Sequence, residues 1–297
     1  METSFLQAQK AILGLQPTLV IRAAVGPGST AGRGVEQAMT DQDAQRVEVR
    51  REGHVLVVSM RRERRRNAVD RAMADALDAA LNLLDDDDDL WVGVLTGTPT
   101  VFCAGSDLTA GGDYVTERGG EYGVVRRRRR KPLIAAVEGA ALGGGLEIVL
   151  ACDLVVAATD ARFGLPEVTI GVVPTCGALF RGPRALPLNL ARELILVGDP
   201  FDARRAHEAG LVNVLAEPGR ALDAAVVLAE RICRNAPSAV RACLAAVDAA
   251  VAPAADAADA AGWQATAAAL DAIRDSADAA EGVRAFLEKR PPAWTGR

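Results

Sequence analysis

Hydrophobic and polar positions change their period several times along the chain, and each change marks an element. Arg46-Val47-Glu48-Val49-Arg50 alternates like a half-buried strand. Arg51-Glu52-Gly53 then turns the chain into a second strand, His54-Val55-Leu56-Val57-Val58-Ser59-Met60. Between Val69 and Leu84, the residues Met73, Leu77, Ala80, Leu81 and Leu84 recur at helical spacing, and the acidic run Asp85–Asp89 ends that helix. Trp91–Thr96, Leu133–Val137 and Asp153–Ala158 are apolar runs of strand length, and a glycine-rich turn after the second leads into a helix reaching Ala151. Strands alternating with helices predict an α/β fold with parallel strands and right-handed crossovers. After Val212-Asn213-Val214-Leu215 the pattern is helical only, over Gly219–Asn235, Pro237–Val251, Ala257–Ser276 and Ala279–Lys289.

Three regions follow: 1–45, a core over 46–218, and a helical module over 219–297. In the first, Phe5 to Ala24 reads as a weak helix or a strand, and the breaker-rich Gly26-Pro27-Gly28-Ser29-Thr30-Ala31-Gly32-Arg33-Gly34 reads as linker. Met39-Thr40-Asp41-Gln42-Asp43 has the look of a natural start. Residues 1–38 are therefore expected to be dispensable, either a flexible extension or an artefact of an upstream start codon, too poor in buriable apolar surface to offset the entropy of ordering.

Composition narrows the class. Half of the 297 residues are hydrophobic and 25% are charged, a globular balance, while only 4% are aromatic, so the core must be built from Ala, Val, Leu and Ile. A net charge of −5 disfavours a nucleic-acid partner. The five cysteines form no C-x-x-C pair, which fits a reducing cytoplasm better than a disulfide framework. No apolar run reaches the roughly 18 residues that cross a bilayer, and Met1-Glu2-Thr3-Ser4-Phe5 lacks the basic start of a secretory signal, so no membrane partner is expected.

Three short segments carry chemistry. Gly143-Gly144-Gly145 opens a helix, where bare backbone N–H groups and the helix dipole suit an oxyanion or a phosphate. By itself the triplet reads first as a tight strand–helix packing turn, and it matches neither a dinucleotide fingerprint nor a P-loop. Phe102-Cys103-Ala104-Gly105-Ser106-Asp107-Leu108 follows another strand, where a second N–H group can converge on the same atom. No glycine stands two residues after Ser106, so this is not a nucleophile elbow. Glu147 lies in the first turn of the glycine-opened helix, and Glu167 follows Pro166 at the start of another. Each glutamate alone reads as structural. His54 and His207 sit in polar surroundings and read as solvent-facing, and no cluster has metal-ligand spacing, so no metal is expected.

Together, the Ala104-Gly105-Ser106-Asp107-Leu108 segment, Gly143-Gly144-Gly145-Leu146-Glu147 and Leu165-Pro166-Glu167 resemble the signature of the crotonase, or enoyl-CoA hydratase/isomerase, superfamily, over Arg46 to Arg297 and closest to enoyl-CoA hydratase. The resemblance implies a spiral of ββα units with a C-terminal helical trimerisation module, and a homotrimer or dimer of trimers. It implies a hydro-lyase acting on an acyl-CoA thioester, with no tightly bound cofactor beyond the coenzyme A of the substrate. The backbone N–H groups of Ser106 and Gly144 would hold the thioester oxyanion, each worth about 3–4 kcal/mol in comparable acyl sites. Glu147 would activate water and Glu167 would act as the acid. Coenzyme A would meet Arg61, in a segment that resembles the family's Arg-x-x-x-x-Asn-Ala loop, together with Ala104, Phe286 and Lys289.

The chain departs from the family pattern at Thr109, where many relatives carry a lysine serving the coenzyme, and at Thr175, where they carry glycine. Isomerisation, carnitinyl-CoA-type dehydration and thioester hydrolysis remain alternatives. So does a non-catalytic, RNA-binding relative using the arginine runs, although Arg126–Arg130 reads mainly as a solvated helix face.

Overall fold

The computed structural model describes residues 46–111 and 114–295, with the side chains of 250–258 excepted. The expectations for 1–45 lie outside the described residues. Twelve strands are described: β1 (Val47–Glu52), β2 (Val55–Met60), β3 (Val92–Thr96), β4 (Val101–Cys103), β5 (Val115–Thr116), β6 (Gly120–Glu121), β7 (Leu133–Val137), β8 (Ala140–Leu142), β9 (Leu154–Ala158), β10 (Arg162–Gly164), β11 (Phe201–Asp202) and β12 (Val214–Ala216). The helices are α1 (Arg71–Asp86), α2 (Gly144–Val149), α3 (Ala178–Ala185), α4 (Leu188–Val197), α5 (Ala203–Glu208), α6 (Ala221–Cys233), α7 (Pro237–Ile273) and α8 (Ala277–Glu288).

The main sheet has the order β1-β2-β3-β7-β9-β12. It is parallel from β2 onward, and β1 is antiparallel at one edge. Its inner strands are apolar but for Ser59 and Thr96 because both faces are covered, which is why they read as nearly unbroken runs. Alternate residues serve two cores. Leu56, Val58, Leu95, Leu133, Ala135, Val155 and Ala157 face the larger one, against Met73, Leu77, Leu81 and Leu84 of α1. Val55, Val57, Val92, Val94, Ile134, Ala136 and Val156 face the smaller one, against Ala225 and Ala229 of α6. The Asp70 carboxylate caps α1 by accepting from Met73 N at 2.9 Å. Glu138, just past β7, accepts from Ala221 N at 2.7 Å and Gly219 N at 3.0 Å, which fixes the start of α6 on the sheet.

A second sheet, β11-β10-β8-β4, has β4, β8 and β10 parallel and β11 antiparallel. None of these strands is expected from the pattern, because two or three residues are too few to show a period. Beyond α6 the reading is corrected in one place: Pro237–Val251 and Ala257–Ser276 are a single helix, α7, running through Pro253. A proline removes one backbone bond, and the alanine-rich flanks, of the highest helix propensity, carry the helix past it. His54 lies in the hairpin turn rather than in β2, stacked on Trp91 with ring centroids 3.5 Å apart.

The Arg126–Arg130 run is a second correction. It forms no helix, and its charges are not simply solvated. The side chain of Arg127 is 2% exposed, with ion pairs to Asp78 at 2.6 Å and Asp85 at 3.0 Å. Arg126 pairs with Glu121 at 2.8 Å and lies over the Trp263 ring, and Arg129 pairs with Asp153 at 2.7 Å. A buried guanidinium needs fixed carboxylates to offset lost hydration, and α1 supplies two. No helix among the described residues is long and apolar enough to cross a membrane.

Candidate active site

The three chemical segments leave the carboxyl ends of three adjacent strands of the second sheet. β4 runs into Ala104-Gly105-Ser106, β8 into Gly143-Gly144, and β10 into Leu165-Pro166-Glu167, with Cys103 in register with Ala141 and Leu142 with Gly164. Parallel strands deliver their loops to one edge, so segments spread over some sixty residues of sequence meet at one place.

The Ser106 loop is held from beneath. Val69 donates to Gly105 O at 2.7 Å and accepts from Asp107 N at 2.9 Å, gripping both neighbours of Ser106. Asn67, fully buried, donates from Nδ2 to Val101 O at 2.9 Å and Phe102 O at 3.0 Å, stapling the preceding segment to β4. Arg62 reaches Asp107 at 2.6 Å and Ala68 O at 2.8 Å. Burial works against the charge of Asp107, but hydrogen bonds from Thr109 and Arg62 outweigh it and hold its carboxyl below the ordinary value. Gly105 has φ +90, and a Cβ there would stand 2.8 Å from Gly144 N, so the two backbone segments touch because neither side chain intervenes. Among the described residues, the N–H groups of Ser106 and Gly144 donate to no backbone carbonyl. Two adjacent unpaired donors, one at a helix start, have the chemistry to hold an anionic oxygen.

The two glutamates have different environments. Glu147 is 2% exposed, and its Oε1 accepts from Cys176 N at 2.8 Å and Ala178 N at 3.0 Å. Burial pushes its carboxyl up to about 7, with those N–H bonds pulling the other way. Glu167 lies in a short 3-10 turn, Pro166–Ile170. Its Oε1 approaches Gly143 so closely that a Cβ there would meet it at 3.1 Å, and its buried Oε2 has no hydrogen-bond partner. Burial, then the charge of Glu147, pushes Glu167 up to about 8. The fold therefore favours the anion at Glu147 more than at Glu167, a difference in environment of the kind that can separate a base from an acid.

Tyr114, Tyr122 and Cys176 complete the inner wall, and no periodicity or motif announced them. The tyrosine rings stack with centroids 4.6 Å apart, and the Tyr122 hydroxyl lies 2.8 Å from Ser106 Oγ. Burial lifts the Cys176 thiol well above its ordinary range, and the charge of Glu147 adds to this. The positions matched to coenzyme A lie at the periphery. Ala104 is half-buried beside Ser106, whereas Arg61 is exposed and ion-paired with Glu48 on β1. Phe286 and Lys289 are exposed at the end of α8. That helix packs on the Glu167 turn, and a Cβ at Gly282 would stand 2.3 Å from Ile170 O. Thr175 is half-buried, with Oγ1 3.7 Å from Cys176 Sγ.

A family model described as enoyl-CoA hydratase/isomerase matches residues 50–297. A mevalonyl-coenzyme A hydratase of Aspergillus fumigatus is 38% identical over 253 residues, covering 81% of this chain and 91% of the relative. The crystal structure of a carnitinyl-CoA hydratase from Mycobacterium avium superposes with a TM-score of 0.78 at 38% identity, covering 85% of this chain and 99% of that one. That of an enoyl-CoA hydratase from Mycobacterium tuberculosis H37Rv gives 0.67 at 45% identity, with 85% and 99% covered. With a family model matched over residues 50–297 and relatives of this identity and coverage, the chain belongs to the enoyl-CoA hydratase/isomerase family.

Proposed function

We propose that the chain adds water reversibly across the 2,3 double bond of a 2-enoyl-CoA thioester. The carrying observation is the carboxylate pair beside the unpaired N–H groups of Ser106 and Gly144, with Glu147 bonded by two backbone N–H groups and Glu167 left with an orphan oxygen. In this reading the thioester oxygen accepts from both N–H groups, which draws electron density away from C3. Glu147 takes one proton from water as the oxygen bonds to C3. The electron pair of the double bond passes into the enolate, and Glu167 gives its proton to C2. Proton exchange with solvent then restores the anionic base and the neutral acid. The hydratase names of the relatives support this direction, and retention of both glutamates weighs against simple isomerisation.

Arg61, Ala104, Phe286 and Lys289 are proposed to meet the coenzyme. Among the described residues Lys289 pairs with no carboxylate, so its charge is available to a phosphate. An RNA-binding reading finds less support, because Arg126, Arg127 and Arg129 already face carboxylates. Residues 219–297 are proposed to join copies into a trimer or a dimer of trimers, with Val247, Leu287 and Trp294 among their exposed apolar side chains. The five free thiols suit a reducing cytoplasm.

The test is the loss of conjugated-thioester absorbance when purified protein meets crotonyl-CoA and longer or branched 2-enoyl-CoA esters, with the reverse signal from the 3-hydroxyacyl products. Absence of turnover across the panel refutes the proposal.

A further inference from the structure

Tyr122 has no part in the proposed proton transfers, yet it occupies the inner end of the site in a conformation rare for a side chain of its size. Its φ is +58, and it is 2% exposed. Its backbone N–H donates to Tyr114 O at 2.9 Å, and its ring stacks on Tyr114. Its hydroxyl bonds Ser106 Oγ, and it lies so near Gly144 that a Cβ there would be 2.1 Å from it, while the Cys176 thiol lies against the Tyr114 hydroxyl behind it. Backbone, ring and hydroxyl are each fixed, and the surroundings leave the ring nowhere to swing.

The groups of the site fall into a rim and a floor. Ala104, Ser106, Leu142, Glu167 and Thr175 retain access to solvent, whereas Glu147, Tyr114, Tyr122 and Cys176 are buried. A thioester whose oxygen reaches the Ser106 and Gly144 N–H groups enters past the rim with its acyl carbons toward the floor. A chain running beyond C3 then meets the Tyr122 ring, backed by Tyr114 and Cys176. We infer that Tyr122 sets the acyl length, so that the site accepts enoyl-CoA thioesters of about four carbons and excludes long chains. This inference rests on the proposed function only for the placement of the thioester oxygen.

The experiment compares kcat/KM for crotonyl-, 2-hexenoyl-, 2-octenoyl- and 2-decenoyl-CoA in the natural protein, Tyr122→Gly and Tyr122→Phe. Glycine accepts the left-handed backbone, and phenylalanine keeps the ring while losing only the hydroxyl. The natural protein is expected to lose at least about tenfold between crotonyl- and octenoyl-CoA. Tyr122→Gly is expected to raise the octenoyl-to-crotonyl ratio by about tenfold or more, and Tyr122→Phe to leave it unchanged. Equal use of crotonyl- and decenoyl-CoA by the natural protein overturns the inference. So does a folded glycine variant with an unchanged ratio, or a phenylalanine variant that shifts the ratio as far as glycine does. Calorimetric affinities for butyryl- and decanoyl-CoA read the same limit without chemistry and without any variant. A protein that prefers butyryl-CoA but hydrates nothing keeps the length limit and loses the hydration reading, whereas one that prefers decanoyl-CoA loses the limit.

Discussion

Replacing Glu167 by Gln should weaken the enzyme and strengthen the fold, in a pH-dependent way. The carboxyl is raised from 4.5 to about 8 by burial and by Glu147. Each unit of such a shift corresponds to about 1.4 kcal/mol, so the full ionic form costs the folded state on the order of 4–5 kcal/mol. Glu167 is only half-buried, however, and solvent screening reduces the realised cost to about 2 kcal/mol. Below 4.5 the group is protonated in both folded and unfolded chains, and the stability tied to its neutral form is fully present. Between 4.5 and about 8 the unfolded chain releases the proton and the folded chain keeps it, so stability falls as pH rises. Above about 8 the whole cost is in place. Glutamine never ionises, so the variant should match the natural protein near pH 5 and melt about 4–8 °C higher at pH 9. Thermal melts at the two pH values read this, while turnover of crotonyl-CoA should fall by about 10²–10⁴. A variant that is no more stable at pH 9 than the natural protein refutes the electrostatic account. One that retains near-normal turnover refutes the role of acid.

The pH profile of kcat/KM should be a bell with two macroscopic limbs, activity falling as pH drops below about 7, where Glu147 gains a proton, and as it rises above about 8, where Glu167 loses one. Glu147→Gln should abolish the acid limb and lower kcat by about 10²–10⁴, and an unmoved limb would assign it elsewhere. Gly144→Ala places a methyl 2.1 Å from a buried, hydrogen-bonded hydroxyl, so kcat should fall by about 10²–10³ as the oxyanion donor shifts. Turnover within twofold of the natural protein would show that this N–H is not aimed at the substrate. Light scattering should show an assembly of three or six chains at micromolar concentration, and a stable active monomer would contradict the proposed role of the helical module.

The elements legible in the sequence were those with length. The main-sheet strands could be read because both faces are covered, and α1 because its apolar stripe repeats over four turns. The segments that hold Ser106, Gly144, Glu147 and Glu167 could be singled out, and the fold brings them to one place; the roles of the four are proposed above. The small sheet that brings them together could not be read, because strands as short as Ala140–Leu142 have no period. Tyr114 and Tyr122 were silent for another reason. Their placement depends on a left-handed backbone at Tyr122, on its contact to Ser106 and on that of Tyr114 to Cys176, residues far apart in the chain. The arginines of 126–130 misled because charge along a sequence does not disclose that Asp78 and Asp85 wait across the fold.

The docking of α8 on the Glu167 turn has a consequence for the order in which the molecule is made. Ile170 O is backed by Gly282, and Asp278 O lies 2.6 Å from where a Cβ at Gly171 would stand, so the turn leans on residues more than a hundred positions downstream. A ribosome releases the chain from its amino end, and the strands, the paired donors and both glutamates emerge well before that helix exists. A nascent chain not yet made as far as α8 thus carries both glutamates while the wall behind one of them is still unwritten. The wall is closed only by α8, more than a hundred residues after the turn it supports.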